Sequence, residues 1–303
     1  MIRIGIVDLD TSHPGSWIKI LREEFAARAE VVAVCDMGDV HPAGYAEQFA
    51  RENKVAKVCP RPEDMVGAVD LALCCGTNWE AFPARSRPFL EAGTPTFLDK
   101  PVVGKLRDYY LIRQYAAAKK TPLMGGSSFR YAVEVEEFRA KLPELGAVKT
   151  AFVAGTGDFF SYGIHAAEML HSAVGGGIRS VHYLGQNGPA FVYIEYADGK
   201  LALLQLHSTG PAGLTVHAEK GAHSFTLDVG RVYRELIVRV LEMAETGQPA
   251  APFDDSVEAC KILIAARRSR ETGRPVFLDD LTLEEGFDGP AFSAEYSARR
   301  YGR

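Results

Sequence analysis

The chain has 303 residues, 47% of them hydrophobic and 24% charged, with a formal net charge of -5. At roughly 150 residues per domain this length gives about two domains, and the composition is that of a folded globular protein rather than a disordered one. The mildly acidic balance and the lack of a basic patch argue against nucleic acid and anionic membrane as partners, and no apolar run reaches the roughly 20 residues of a membrane span.

The opening residues Met1-Ile2-Arg3-Ile4-Gly5-Ile6-Val7-Asp8 read directly as a strand, without the charged and apolar regions of a secretory leader. The run from Ile2 to Val7 suits a buried parallel strand. Thr11-Ser12-His13-Pro14 supplies capping hydroxyls and then an early proline, a helix start. Trp17, Ile18, Ile20, Leu21 and Phe25 carry helical periodicity to about Ala29. A strand follows from Val31 to Cys35, closing at Asp36, then a helix near Gly44 to Asn53. Strands at Val69 to Cys75 and Thr96 to Leu98 flank a helix from about Glu80 to Ala92. A helix from Lys105 to Lys120 leads to a strand beginning at Pro122. Strands alternating with helices in this way make βαβ units and a parallel, doubly wound sheet.

After about residue 125 the pattern changes. A helix (Val133 to Leu142), a strand (Ala147 to Ala154) and a helix (His165 to Val174) precede five strands between Ser180 and Leu227. Asp198-Gly199 marks a hairpin turn among them. Helices return at Val232 to Glu245 and Val257 to Glu271. This is an α+β half with a large, mostly antiparallel sheet, so the boundary is placed between residues 123 and 124. Five cysteines, Cys35, Cys59, Cys74, Cys75 and Cys260, form no framework and no CxxC pair. They read as reduced, buried thiols in a cytoplasmic protein. A catalytic cysteine would need a neighbouring base, and none is visible.

In a nucleotide-binding βαβ unit, three glycines between the first strand and helix let the backbone approach a pyrophosphate. Here Asp8, Asp10 and His13 stand at those positions. A carboxylate about 5 Å from a phosphate charge costs roughly 3 kcal/mol at an effective dielectric near 20. In compensation the helix N-terminus offers free amides and a positive dipole end, and Thr11, Ser12 and His13 can donate to a phosphate. The simpler reading is that Asp10 or Thr11 caps the helix. Asp36 closes the second strand, where an acid bonds the ribose hydroxyl of NAD and repels the phosphate of NADP. It reads otherwise as a turn aspartate.

Ala92-Gly93-Thr94-Pro95-Thr96-Phe97-Leu98-Asp99-Lys100-Pro101 resembles the catalytic-lysine segment of the glucose–fructose oxidoreductase/inositol dehydrogenase (Gfo/Idh/MocA) family, with Lys100 matching the lysine. Gly76-Thr77-Asn78, Phe129-Arg130-Tyr131, Gly163 to Leu170 around His165 and Glu168, and Glu271 to Val276 resemble four more of its segments, in the same order. The resemblance covers nearly the whole chain. It implies an NAD(P)-dependent oxidoreductase acting on sugars, polyols and related alcohols. Residues 1–123 would be a Rossmann-type dinucleotide-binding domain, and residues 124–303 a substrate and oligomerisation domain. Lys100 would be the acid/base and also touch the cofactor, and His165 would assist. Gly76, Thr77 and Asn78 would join Asp10, Thr11, Ser12, His13 and Asp36 around the dinucleotide. Arg130, Tyr131, Ser161 and Glu168 would meet substrate.

The chemistry is consistent with those roles. Oxidising an alcohol needs a base for its proton while hydride leaves carbon, and a lysine at the C-terminal end of a parallel strand points into the ligand crevice. Outside that context Lys100 would be a surface lysine before a proline turn. One departure matters: Ser161 stands where the well-studied dehydrogenases carry an aspartate, four residues before the histidine, and a serine holds no negative charge. His165, Glu168 and His171 share a broad helix face, but their spacing is not that of the i, i+4 histidine pair in zinc-binding helices, so no metal is expected. The leading expectation is an NAD-linked oxidoreductase of a small sugar or polyol, with NADP less favoured, forming a homo-oligomer through an exposed sheet face. The alternatives are a cofactor-free metabolite-binding protein on the same scaffold, and a non-redox lyase or isomerase.

Overall fold

The computed structural model describes residues 1–185, 190–208 and 210–302. They form two compact units. The first comprises Met1–Gly125, Leu236–Phe253 and Gly286–Arg303, and the second Gly126–Glu235 and Asp254–Glu285.

The first unit is built from β1 (Ile2–Val7), α1 (His13–Glu24), β2 (Ala29–Cys35), α2 (Tyr45–Glu52), β3 (Lys57–Val58), β4 (Leu71–Cys74), α3 (Phe82–Ala92), β5 (Thr96–Asp99), α4 (Leu106–Ala117) and β6 (Leu123–Gly126). The sheet is parallel, in the order β3-β2-β1-β4-β5-β6. β4 and β5 are buried at every position, as a strand covered on both faces must be. Gly5 admits that covering: a side chain there would meet Met65 Sδ and Val69 Cγ1 at 3.0 Å. The strand order reverses direction between β1 and β4, and the crevice beyond the carboxyl ends of those two strands is where such sheets bind ligands.

The second unit runs through α5 (Val133–Leu145), β7 (Val148–Thr156), α6 (Gly163–Val174), β8 (Ile178–Tyr183), β9 (Ala190–Tyr196), β10 (Leu201–Ser208), β11 (Gly213–Ala218) and β12 (Gly221–Thr226). Helix α7 (Val232–Thr246) then passes into the first unit from Leu236, and α8 (Phe253–Thr272) and the short strand β13 (Val276–Phe277) complete the second. Its seven strands lie in the order β12-β11-β7-β10-β9-β8-β13, antiparallel except for the β7–β10 pair. β9 alternates buried and half-exposed residues, the signature of a sheet covered on one face. The covering helix α6 comes close to β7 because Gly155 has no side chain. An added Cβ would lie 2.7 Å from the Ala166 Cβ.

The expected α/β plus α+β architecture is present, with two additions. The two-residue strands β3 and β13 are too short to leave a periodic signature. The terminal helix α9 (Gly289–Tyr301) was not anticipated, although Asp288-Gly289-Pro290 carries its start signal: the Asp288 carboxylate accepts from the Ala291 amide at 2.9 Å, with proline in the first turn. The chain also returns to the first unit twice after the second has begun. Arg28 pairs with Glu245 at 2.9 Å and the Phe253 ring stacks on Tyr109, contacts that a linear division at residue 123 cannot contain.

Gly155→Ala should therefore cost about 1–3 kcal/mol through the forced separation of α6 and β7. A drop in the urea unfolding midpoint checks this, and an unchanged midpoint would show that the helix has room to shift.

Candidate active site

At the end of β1, Asp8 adopts φ 66, a left-handed conformation that glycine fills most readily and aspartate tolerates better than most. Its carboxylate is fully buried and accepts from Arg85 Nη1 at 2.7 Å, while Arg85 Nη2 donates to Asp39. A side chain at Gly76 would stand 2.7 Å from Asp8 Oδ2 and 2.9 Å from Arg85 Nη1, so that glycine makes room for the ion pair. Burial pushes the Asp8 carboxyl up to about 8; Arg85 opposes the rise, and the acids Asp10, Asp36 and Asp39 add to it. Asp10 is buried too. It accepts from the Thr77 amide at 2.7 Å and the Thr77 hydroxyl at 2.9 Å, and burial raises its pKa.

The start of α1 is more open. Thr11 Oγ1 accepts from the His13 amide at 3.2 Å. Ser12, the N-cap, is exposed, makes no side-chain capping bond, and no acid lies in the first turn. The His13 ring turns inward: Nδ1 lies 2.5 Å from Asp99 Oδ2, and Asp99 Oδ1 accepts from the Lys100 amide at 2.8 Å. Asp99 thus ties the start of α1 to the residue after β5. Lys100 is half-exposed and joined to Pro101 by a cis peptide bond. Asp36, half-buried after β2, has its pKa raised by burial and accepts weakly from the Gly38 amide at 3.5 Å.

In the second unit, α6 presents His165, whose Nδ1 lies 2.6 Å from Ser127 Oγ. Ser127 Oγ also accepts from the Phe129 amide at 3.0 Å, so one hydroxyl ties the turn after β6 to the His165 ring. The Phe129 ring packs 4.7 Å from the imidazole. Ser161 donates to Asp158, and the same carboxylate accepts the amides of Phe160 at 3.0 Å and Ser161 at 2.7 Å. A carboxylate three residues earlier in the chain therefore lies against Ser161.

Arg130 and Glu168 are placed differently from the expectation that they meet substrate. Both are buried, with Arg130 Nε 2.5 Å from Glu168 Oε2. Ser256 adds a bond to the same oxygen at 3.3 Å. Tyr131 is buried as well. A charge removed from water needs a partner, and these two residues have taken each other. His171 pairs with Glu258 at 2.8 Å, so His165, Glu168 and His171 turn to three different partners.

Ser127, Asp99, Arg85 and Asp158 were missed by sequence reasoning. For Asp99 and Arg85 a signal existed: an acid adjoining the candidate lysine, and a lone arginine in an otherwise apolar helix face opposite two loop aspartates.

No family model matches the chain, and no curated protein does. Solved structures match over almost its full length. A probable dehydrogenase from Thermotoga maritima aligns with a TM-score of 0.80 at 16% identity, over 93% of this chain and 100% of that one. Scyllo-inositol dehydrogenase from Lactobacillus casei, with bound NAD(H) and scyllo-inositol, aligns at 0.80 and 14% identity, over 92% and 100%. Myo-inositol dehydrogenase from the same organism, in complex with NAD(H) and myo-inositol, aligns at 0.80 and 16% identity, over 91% and 96%. The chain has the Gfo/Idh/MocA fold.

In a Gfo/Idh/MocA fold the expected cofactor is a nicotinamide dinucleotide, and the first unit fits its phosphates. At the start of α1 Thr11 Oγ1 takes the His13 amide and Pro14 has none, which leaves the exposed Ser12 hydroxyl and the positive dipole end of the helix for an anion. The two acids that replace loop glycines are buried, Asp8 against Arg85 and Asp10 against Thr77, so their bonding is met inside the protein. Of the residues expected around the cofactor, Asp10, His13 and Thr77 spend their side chains on these internal bonds. Thr11, Ser12, Asp36, Asn78 and Lys100 remain along the edge, at least partly exposed.

The folded protein holds the Asp8 proton more tightly than the unfolded chain does. Unfolding releases it between the ordinary 3.8 and about 8, and this group makes stability fall as pH rises through that window. Asp8→Asn should flatten the fall in urea midpoints across the window. An identical pH dependence in the variant would show that Asp8 stays ionised against Arg85 throughout.

Proposed function

We propose that the protein is an NAD-linked oxidoreductase that moves a hydride between nicotinamide and an alcohol carbon of a sugar, polyol or similar small molecule. The observation that carries this is Lys100, half-exposed at the carboxyl end of β5 with its backbone held by Asp99, in the fold of the inositol dehydrogenases. Bound there, the cofactor would supply the hydride acceptor. Thr11 and Ser12 would bond its phosphates, Asp36 a ribose, and Asn78 and Lys100 the nicotinamide end. Asp36 favours NAD, since its carboxylate would repel the added phosphate of NADP.

Lys100 takes the hydroxyl proton in oxidation and returns it in reduction. His165, with Nδ1 held against Ser127, would assist by hydrogen-bonding a substrate oxygen. Ser161 and Asp158, bonded to each other just before α6, serve substrate hydroxyls. Arg130, Tyr131 and Glu168 hold α6 in place instead of touching substrate. We read the protein as cytoplasmic, in keeping with five buried free thiols, and as a homo-oligomer joined through the open face of the seven-stranded sheet. On that face Phe152, Thr215 and Ser224 stand side by side across three strands along a shallow depression, and Phe152 is 36% exposed. One observation favours the cofactor-free metabolite-binding alternative: α9 lies over the crevice of the first unit.

Incubation with NAD and a panel of inositols, sugars and linear polyols should produce the near-ultraviolet absorbance of reduced nicotinamide with at least one of them. Lys100→Met should lower kcat by about 10²–10⁴ while NADH still binds. Absence of both turnover and nicotinamide binding at millimolar cofactor would overturn the reading in favour of the metabolite-binding alternative.

A further inference from the structure

We infer that α9 and the adenosine half of a dinucleotide claim the same place in the first unit, so that cofactor binds only as α9 lifts away. The inference rests on the proposed NAD-linked activity. Dinucleotides lie across the carboxyl edge of such a sheet at the point where strand order reverses. In this chain that point lies between β1 and β4.

The helix crosses it. Gly289 sits against the loop after β4, where any side chain would meet the Asn78 Oδ1 and the Trp79 amide at 2.9 Å and the Glu80 amide at 3.1 Å. One turn on, the Ser293 hydroxyl is 2.8 Å from that of Thr77. Another turn on, Ser297 donates to the Val40 carbonyl at 2.7 Å, beyond the end of β2. The Tyr301 hydroxyl then lies 2.5 Å from His41 Nδ1. Gly289, Ser293 and Ser297 recur every four residues, so one narrow face makes the whole approach. Thr77 and His41 bind the loop after β1 as well, through the Asp10 carboxylate and, at 3.0 Å, the Leu9 carbonyl. The helix is therefore bonded to the network that lines the crevice on both sides.

The seat is shallow and polar. Only Gly289 and Ser293 are buried within α9, against ten residues in α6. Its contacts with the crevice include the three hydroxyl bonds above, the Gly289 amide donating to Glu80 Oε1 at 3.3 Å, the Phe292 ring 4.7 Å from Trp79 and the Tyr301 ring edge-on to His41. A segment with few buried apolar contacts opens at low free energy. The affinity measured for the cofactor is then the intrinsic one multiplied by the fraction of molecules with α9 lifted.

The test uses the full chain and the double variant Ser293→Ala/Tyr301→Phe, which removes two latch hydroxyls and leaves the ring and helix intact. NADH binding is followed by nicotinamide fluorescence, and the amides of residues 291–301 by hydrogen exchange. The variant should bind NADH about tenfold tighter, and saturating NADH should speed exchange across α9 in both proteins. NADH bound by both with equal affinity and with α9 exchange unchanged would overturn the inference and leave the proposed activity standing. Binding by the variant alone would support it. Binding by neither would overturn the cofactor reading, and the inference with it.

Discussion

A carboxylate buried at the end of a parallel strand must find a cation, and in this protein Asp8 finds Arg85. Much of the sheet's carboxyl edge follows from that pair. Arg85 has to reach from α3, which it does by sharing its guanidinium with Asp39 beyond β2. Residue 76 has to be glycine, because the ion pair occupies the space of its side chain. The loop after β1 is then free to turn Asp10 toward Thr77. Where a dinucleotide-binding protein leaves a glycine-lined hollow for phosphate, this chain installs a charged, self-satisfied floor. Leaving either partner unpaired in that floor costs about 3–5 kcal/mol, so a simple return to glycine at position 8 would strand Arg85 with Asp39 alone.

Much of this was legible in the sequence. Parallel strands announce themselves by continuous apolar runs, and β1, β4 and β5 appear where those runs stand. The change of pattern near residue 125 marked the end of the first βαβ series. The replacement of loop glycines by Asp8, Asp10 and His13 was equally visible, but its consequence was not. From spacing alone those carboxylates oppose a phosphate. Arg85 lies 77 positions after Asp8, and nothing in the linear order says that its guanidinium neutralises the first of them. The same holds for Glu168, which reads as a site residue on the helix face of His165 until Arg130, 38 positions away, is found 2.5 Å from it.

The terminal helix is a different case. Its capping aspartate, proline and following residues are local signals, but its small-residue face carries no apolar stripe from which a docking site can be read. Hydroxyl bonds such as Ser293 to Thr77 leave no mark on hydropathy. Local chemistry shows that a helix forms, and long-range polar complementarity decides where it lies.

A crystal structure of the full chain grown with NADH is the most direct measurement. A dinucleotide along the β1–β4 edge, its phosphates at Ser12 and its adenosine where Ser293 and Ser297 had been, with α9 released from Thr77 and His41, is the expected result. A complete dinucleotide bound in the first unit beside a fully seated α9 would contradict it.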